Sequence, residues 1–129
     1  MSNIVSLQIG QNKIRLGDLI DSYHNASNTE GYRVYKDGWC ECYGTVSTPH
    51  TTLTTVNLPK FFKNGSGLNN EVITYTPQVG AGSPSTLSGA FISSNQIQVF
   101  QMNSASSSLW VKYIARGYLT DEEMSKYNL

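Results

Sequence analysis

Residues 31–44 read Gly-Tyr-Arg-Val-Tyr-Lys-Asp-Gly-Trp-Cys-Glu-Cys-Tyr-Gly. Asp37-Gly38 lies between two runs rich in aromatic and β-branched residues. That dipeptide favours a two-residue type I′ turn, whose central residues both need φ > 0. A tight hairpin is expected, with strands near residues 32–36 and 39–46. Pairing outward from the turn sets Lys36 opposite Trp39, Tyr35 opposite Cys40, Val34 opposite Glu41 and Arg33 opposite Cys42. In that register Val34, Trp39 and Tyr43 share one face, and Tyr35, Cys40 and Cys42 share the other. Both faces carry apolar bulk, so something should cover each side.

A chain of 129 residues suits one domain with a single core. Only 14% of residues are charged, and eight Tyr and two Trp are many for this length, a profile that favours a β-rich extracellular or virion domain over a helical enzyme. Net charge is zero, which argues against a nucleic-acid partner. Apolar runs are too short for membrane insertion, and the N-terminus shows no signal-peptide pattern. Cys40 and Cys42, the two cysteines, would point the same way on a strand, about 7 Å apart, too far for an unstrained bridge. They are expected to be free, packed thiols, which suits assembly in a reducing cytoplasm.

Residues 1–30 differ from the rest. Ile4–Ile9 alternates, Ile14 and Leu16 extend the pattern, and Leu16, Leu19, Ile20 and Tyr23 fall at helical spacing behind a possible cap at Asp18. So small an apolar stripe needs a partner. An oligomerising neck over 1–30 and a strand-plus-helix packed on its own domain both remain open. From Tyr32 onward the pattern is strand. Thr51–Asn57 is extended, Pro59 ends it, and 63–70 is a polar loop. Glu71–Gln78 is a strand, 79–88 a loop, and Leu87–Ser93 with Gln96–Met102 a hairpin around Ser94-Asn95. A long strand alternates Leu109, Val111, Tyr113 and Ala115 with Trp110, Lys112, Ile114 and Arg116, and Thr120 opens a short helix through a capping box. The expected fold is all-β: an antiparallel β-sandwich of about seven strands over 31–129, with a short N-terminal neck and a short C-terminal helix.

Asp37-Gly38-Trp39-x-Glu41-x-x-Gly44 resembles the Asp-Gly-Trp-x-Glu hairpin that opens the C-terminal receptor-binding head domains of bacteriophage tail fibres. Three further segments agree in order. They are the Thr-rich strand running into Leu58-Pro59-x-Phe61, the Val72–Pro77 strand, and Tyr113-Ile114-Ala115-Arg116-Gly117-Tyr118, similar to the family's aromatic-x-Ala-x-Gly-Tyr close. The resemblance spans residues 31–119. It implies a non-enzymatic homotrimer at a tail-fibre tip of the virion, joined to the rest of the fibre and binding a host cell-surface glycan or protein. Two-sided apolar strands fit that implication if one face meets the core and the other a sister subunit. The cysteines beside Glu41 and the helix after Leu119 depart from the family pattern.

Asp37 reads as a turn residue, and Glu41 as a cross-strand partner of Lys36 or of a cation on another subunit. Two carboxylates alone do not make a glycosidase. His24 and His50 lie in or beside polar turns and read as solvated, and neither a metal nor another cofactor is expected. The sequons at Asn25 and Asn64 read as chance, Asn64-Gly65 as a turn. Tyr35, Trp39, Tyr43 and Trp110 are candidates for a trimer interface or an aromatic surface. If consecutive strands alternate direction, Asp37-Gly38, 63–70 and Ser94-Asn95 share one end. Lys63, Asn64, Ser66, Asn69, Asn70, Ser94 and Asn95 are therefore the candidate receptor contacts. A structural tail or baseplate adaptor that binds other virion components is the alternative, and a small glycan-cleaving enzyme a third reading.

Overall fold

The structure, a computed structural model, describes residues 7–9, 12–14, 19–27, 29–63, 70–75, 85–104 and 106–127. Its strands are β1 Leu7–Ile9, β2 Asn12–Ile14, β3 Leu19–His24, β4 Gly31–Tyr35, β5 Trp39–Thr48, β6 Thr54–Asn57, β7 Glu71–Tyr75, β8 Ser85–Ser93, β9 Gln96–Asn103 and β10 Leu109–Tyr118, followed by helix α1 Asp121–Ser125. β1 and β2 form a separate hairpin. The remaining eight strands form two antiparallel sheets, one of five in the order β3-β4-β5-β10-β7 and one of three in the order β6-β9-β8. The all-β expectation holds. The hairpin around Ser94-Asn95 and the strict alternation of the last strand are both present, with Leu109, Val111, Tyr113 and Ala115 buried.

The Asp37-Gly38 hairpin forms, but with one more residue in its loop than expected. Gly38 N–H donates to the Tyr35 carbonyl at 2.9 Å, and Gly38 has φ +95°. This is a turn followed by a left-handed glycine, a three-residue connection. Asp37 Oδ1 accepts from Trp39 N–H at 3.0 Å, which confirms Asp37 as a turn residue. The pairs are therefore Val34 with Cys40, Arg33 with Glu41 and Tyr32 with Cys42. A register slip of one residue moves side chains between faces. Val34, Cys40 and Cys42 point into the core, whereas Tyr35, Trp39, Glu41 and Tyr43 lie together on the outer face, correcting the expected split of Tyr35 from Trp39 and Tyr43.

The core fills the space between the sheets. Val34, Cys40, Cys42, Val111, Tyr113 and Ala115 come from the large sheet and Ile97 and Val99 from the small one, with Leu58, Phe62 and Leu119 closing one end. The two sulfurs are 4.0 Å apart and unbridged. The thiol of Cys40 is raised above its usual pKa by its hydrogen bond to Cys42 and then by burial, so it stays protonated.

Leu19–His24, expected as a helix, is the edge strand β3, paired with β4 from Leu19–Tyr35 to His24–Gly31. Its helical spacing arises because a bulge between Leu19 and Asp21 shifts the strand's alternation. The boundary expected at residue 30 thus falls inside a hairpin. Asn25, read as a chance sequon, closes that turn: its Oδ1 accepts from Thr29 and Glu30 N–H at 2.8 and 3.2 Å.

Helix α1 starts as the capping signal predicts, with Thr120 Oγ1 accepting from Glu123 N–H at 3.2 Å. It is clamped to the chain's entry strand. Tyr127 donates to Asp21 Oδ2 at 2.7 Å, Lys60 donates to the Tyr127 hydroxyl at 2.8 Å, and buried Glu123 faces Lys60 at 3.9 Å and Lys126 at 3.4 Å. The Lys60 ammonium also sits 4.7 Å from the Tyr32 ring centre.

Candidate functional site

The outer faces of the two sheets differ in chemistry. On the small sheet the outward side chains mix amides and hydroxyls paired across strands with apolar groups: Gln96 donates to Asn57 at 2.9 Å and Gln98 to Thr55 at 3.4 Å, while Phe100 and exposed Met102 share the same face. The large sheet instead turns rings outward. Cross-strand rows place Trp39 beside Tyr118, Tyr43 beside Ile114 and Ile73, Lys112 between Thr45 and Tyr75, and Ser47 beside Trp110. Trp39 and Tyr118 meet edge to face, with centroids 5.1 Å apart. Trp110 is 61% exposed, Tyr75 47% and Leu19 47%. All four candidate aromatics, Tyr35, Trp39, Tyr43 and Trp110, lie on this one face.

A hollow of about 390 Å³ opens in it, lined by Arg33, Tyr43, Thr45, Tyr75, Lys112 and Ile114. Tyr43 can lie low against the sheet because its partner is Gly31. A Cβ there would come 2.5 Å from the Tyr43 hydroxyl, which reaches the Tyr23 carbonyl at 3.4 Å. The Arg33 guanidinium stands 5.7 Å from the Tyr43 ring centre. Glu41 lies in register between Arg33 and Arg116, not beside Lys36, and Arg116 pairs with Glu71. Burial and then the nearby Glu41 carboxylate raise the Tyr35 phenol above its usual pKa.

Of the candidate receptor contacts, Asn64, Ser66 and Asn69 lie outside the described residues. Lys63, Asn70, Ser94 and Asn95 do gather at the Asp37-Gly38 end. Leu119 N–H donates to the Gly38 carbonyl at 2.8 Å, Lys63 N–H to the Tyr118 carbonyl at 2.8 Å and Phe62 N–H to the Ser94 carbonyl at 2.7 Å. Main-chain carbonyls of Lys63, Ser94 and Asn95 and the side-chain amide of Asn70 serve that closure. The Asn95 carbonyl accepts from Leu58 at 2.7 Å, the Asn70 amide donates to the Lys63 carbonyl at 2.7 Å, and the Lys63 ammonium lies 3.2 Å from Asp121. Because β3 runs antiparallel to β4, the chain enters the sheet at Leu19, at this same end, beside α1.

The opposite end is held by a buried amide network. Gln101 donates to the Thr48 and Ser107 carbonyls at 3.0 and 2.9 Å, and Asn103 donates to Gln101 Oε1 at 2.9 Å. His50, read as solvated, accepts from Asn103 N–H through Nδ1 at 3.4 Å, whereas His24 is exposed on β3. Arg33, Tyr75, Lys112 and Ile114 were not among the sequence candidates. The available signal was the last strand, where Trp110, Ile114 and Tyr118 alternate with a buried set and so imply a second apolar face.

No family model matches this sequence, and no curated protein aligns with it significantly. Among solved structures, the chain is similar in fold to an N-truncated R2-type pyocin tail fibre. The TM-score is 0.59 and the identity 11%, over 76% of this chain and 38% of that one. The likeness is one of fold, and this chain spans well under half the length of that structure.

Proposed function

We propose that this chain is a receptor-binding head of a phage or phage-like tail fibre, which attaches the particle to a host cell surface without cleaving it. The observation that carries the reading is the ring-rich outer face of the five-stranded sheet, in a chain similar in fold to a tail fibre. Exposed apolar surface on that scale marks an interaction site.

The face divides into two parts. Leu19, Tyr35, Trp39 and Tyr118 occupy the end where the chain enters, and three copies meet there around a common axis. The remainder, with Tyr43, Tyr75 and Trp110, lies away from the entry and contacts the receptor in place of the loops at 63–70 and 94–95. The wild-type protein is expected to scatter light as a species of three times the 14.2 kDa chain mass at micromolar concentration. Leu19→Glu, an exposed position, and Trp39→Arg should each yield monomer with an unchanged circular dichroism spectrum. Monomer in the wild type would remove the trimer from this reading.

A further inference from the structure

The hollow on the outer sheet has a chemistry narrower than that of a general adhesive surface. Tyr43 on β5 and Tyr75 on β7 are separated by β10, so about 10 Å lies between their backbones, two strand spacings. Ile114 and Lys112 of β10 stand in that gap. Its volume of about 390 Å³ falls within the range of small-ligand sites, about 300–1,000 Å³, and it shows their usual mix of ring walls and a few polar groups.

Its charge is unbalanced. Among the described residues, neither Arg33 nor Lys112 has a carboxylate within ion-pair distance. Arg116, two rows from Lys112 on the same face, is by contrast taken by Glu71. Glu41 is the one carboxylate lining the hollow, and it lies toward Tyr35, so the cations outnumber it two to one. Arg33 is held over the Tyr43 ring, which orients its guanidinium where a bound carboxylate or phosphate could take paired hydrogen bonds.

We infer that this hollow binds a short stretch of an acidic saccharide, with sugar rings against Tyr43 and Tyr75 and the acid group held by Arg33 and Lys112. The inference rests on the fibre-head reading and names the chemistry of its receptor. Neutral sugars would leave both cations unmatched, and anions without a ring would leave both tyrosine walls bare.

Affinity electrophoresis of the full chain tests it, with alginate as a uronate polymer, phosphomannan as a phosphorylated sugar polymer and dextran as a neutral one. Retardation by alginate or by phosphomannan, but not by dextran, is expected, and which of the two retards identifies the acid group. Lys112→Ala and Arg33→Ala should each weaken it about tenfold or more, as loss of a charge-assisted hydrogen bond does, with the thermal melt unchanged. Equal retardation by dextran, or none by either charged polymer, overturns the inference. Cell adsorption separates the two levels. Adsorption that survives Lys112→Ala and Arg33→Ala overturns the acidic-saccharide site and leaves the fibre head standing, whereas a wild-type protein that adsorbs to no cell overturns both.

Discussion

Phe62→Ala is expected to cost about 3–5 kcal/mol of folding stability, the usual range for emptying a buried phenylalanine site. Phe62 is fully buried, packs edge to face on Phe91 with centroids 5.2 Å apart, and bridges to Leu119. Its N–H donates to the Ser94 carbonyl, so one residue joins the strap at 58–63, the β8–β9 turn and the end of β10. Collapse around the cavity is hindered because those three segments are already tied by backbone hydrogen bonds. In a domain whose total stability is about 5–15 kcal/mol, the loss should lower the melting temperature by on the order of 10–20 °C. Phe61→Ala is the control: that ring is 44% exposed, and its loss should cost less than about 1 kcal/mol. Equal effects of the two substitutions in urea melts would contradict the assignment of Phe62 as the end plug.

The second large effect is alkaline. Tyr113 points into the core opposite Gly44, and burial, with the Cys42 thiol and Glu30 adding to it, pushes its phenol up to about 12. A group whose pKa is raised by folding stabilises the native state fully below its unfolded value near 10. That contribution is lost as pH climbs from 10 through 12. The two-unit difference corresponds to about 3 kcal/mol. The phenol of Tyr127, held high by burial and by its hydrogen bond to Asp21, acts in the same direction. Urea midpoints should therefore be flat from pH 7 to 9 and fall steeply above 10. Tyr113→Phe should remove part of the fall while leaving the midpoint at pH 8 within about 1 kcal/mol, since no hydroxyl partner among the described residues is lost. An unchanged alkaline slope in that variant would show that Tyr113 ionises as freely folded as unfolded.

Much of the fold was legible because turn chemistry and two-residue alternation are local signals. Thr120 with Glu123, the Ser94-Asn95 hairpin, and the buried set Leu109, Val111, Tyr113 and Ala115 follow from neighbours in sequence. The hairpin at Asp37-Gly38 was legible in place but not in register. Asp-Gly serves both a two-residue loop and a three-residue loop ending in a left-handed glycine, and only the burial of Val34, Cys40 and Cys42 chooses between them. β3 was hidden for a related reason, since a bulge gives a strand the spacing of a helix turn. Of the two rings after Pro59, Phe62 is the buried one and Phe61 is exposed.

The candidate site was legible in part. Tyr35, Trp39, Tyr43 and Trp110 were recognisable as surplus aromatic residues, and the structure brings them to one face. Lys112, Tyr75 and Arg33 were not, because they meet through the β5-β10-β7 and β4-β5 pairings between strands far apart in sequence, which no local pattern specifies. The end at which the chain enters the sheet could not be read either. It depends on β3 returning the chain to the Asp37-Gly38 side, a consequence of the helix-like stretch being a strand.

Adsorption of fluorescently labelled protein to cells of a susceptible bacterium tests the central claim most directly, with two variants compared in one assay. A sheet-face variant carries Tyr43→Ala and Lys112→Ala, and an entry-end variant carries Lys63→Ala and Asn95→Ala. Wild type and the entry-end variant should adsorb alike, while the sheet-face variant loses most of its adsorption with an unchanged melting temperature. Adsorption lost on changing Lys63 and Asn95 but kept on changing Tyr43 and Lys112 would contradict the account and return the receptor to the polar loops.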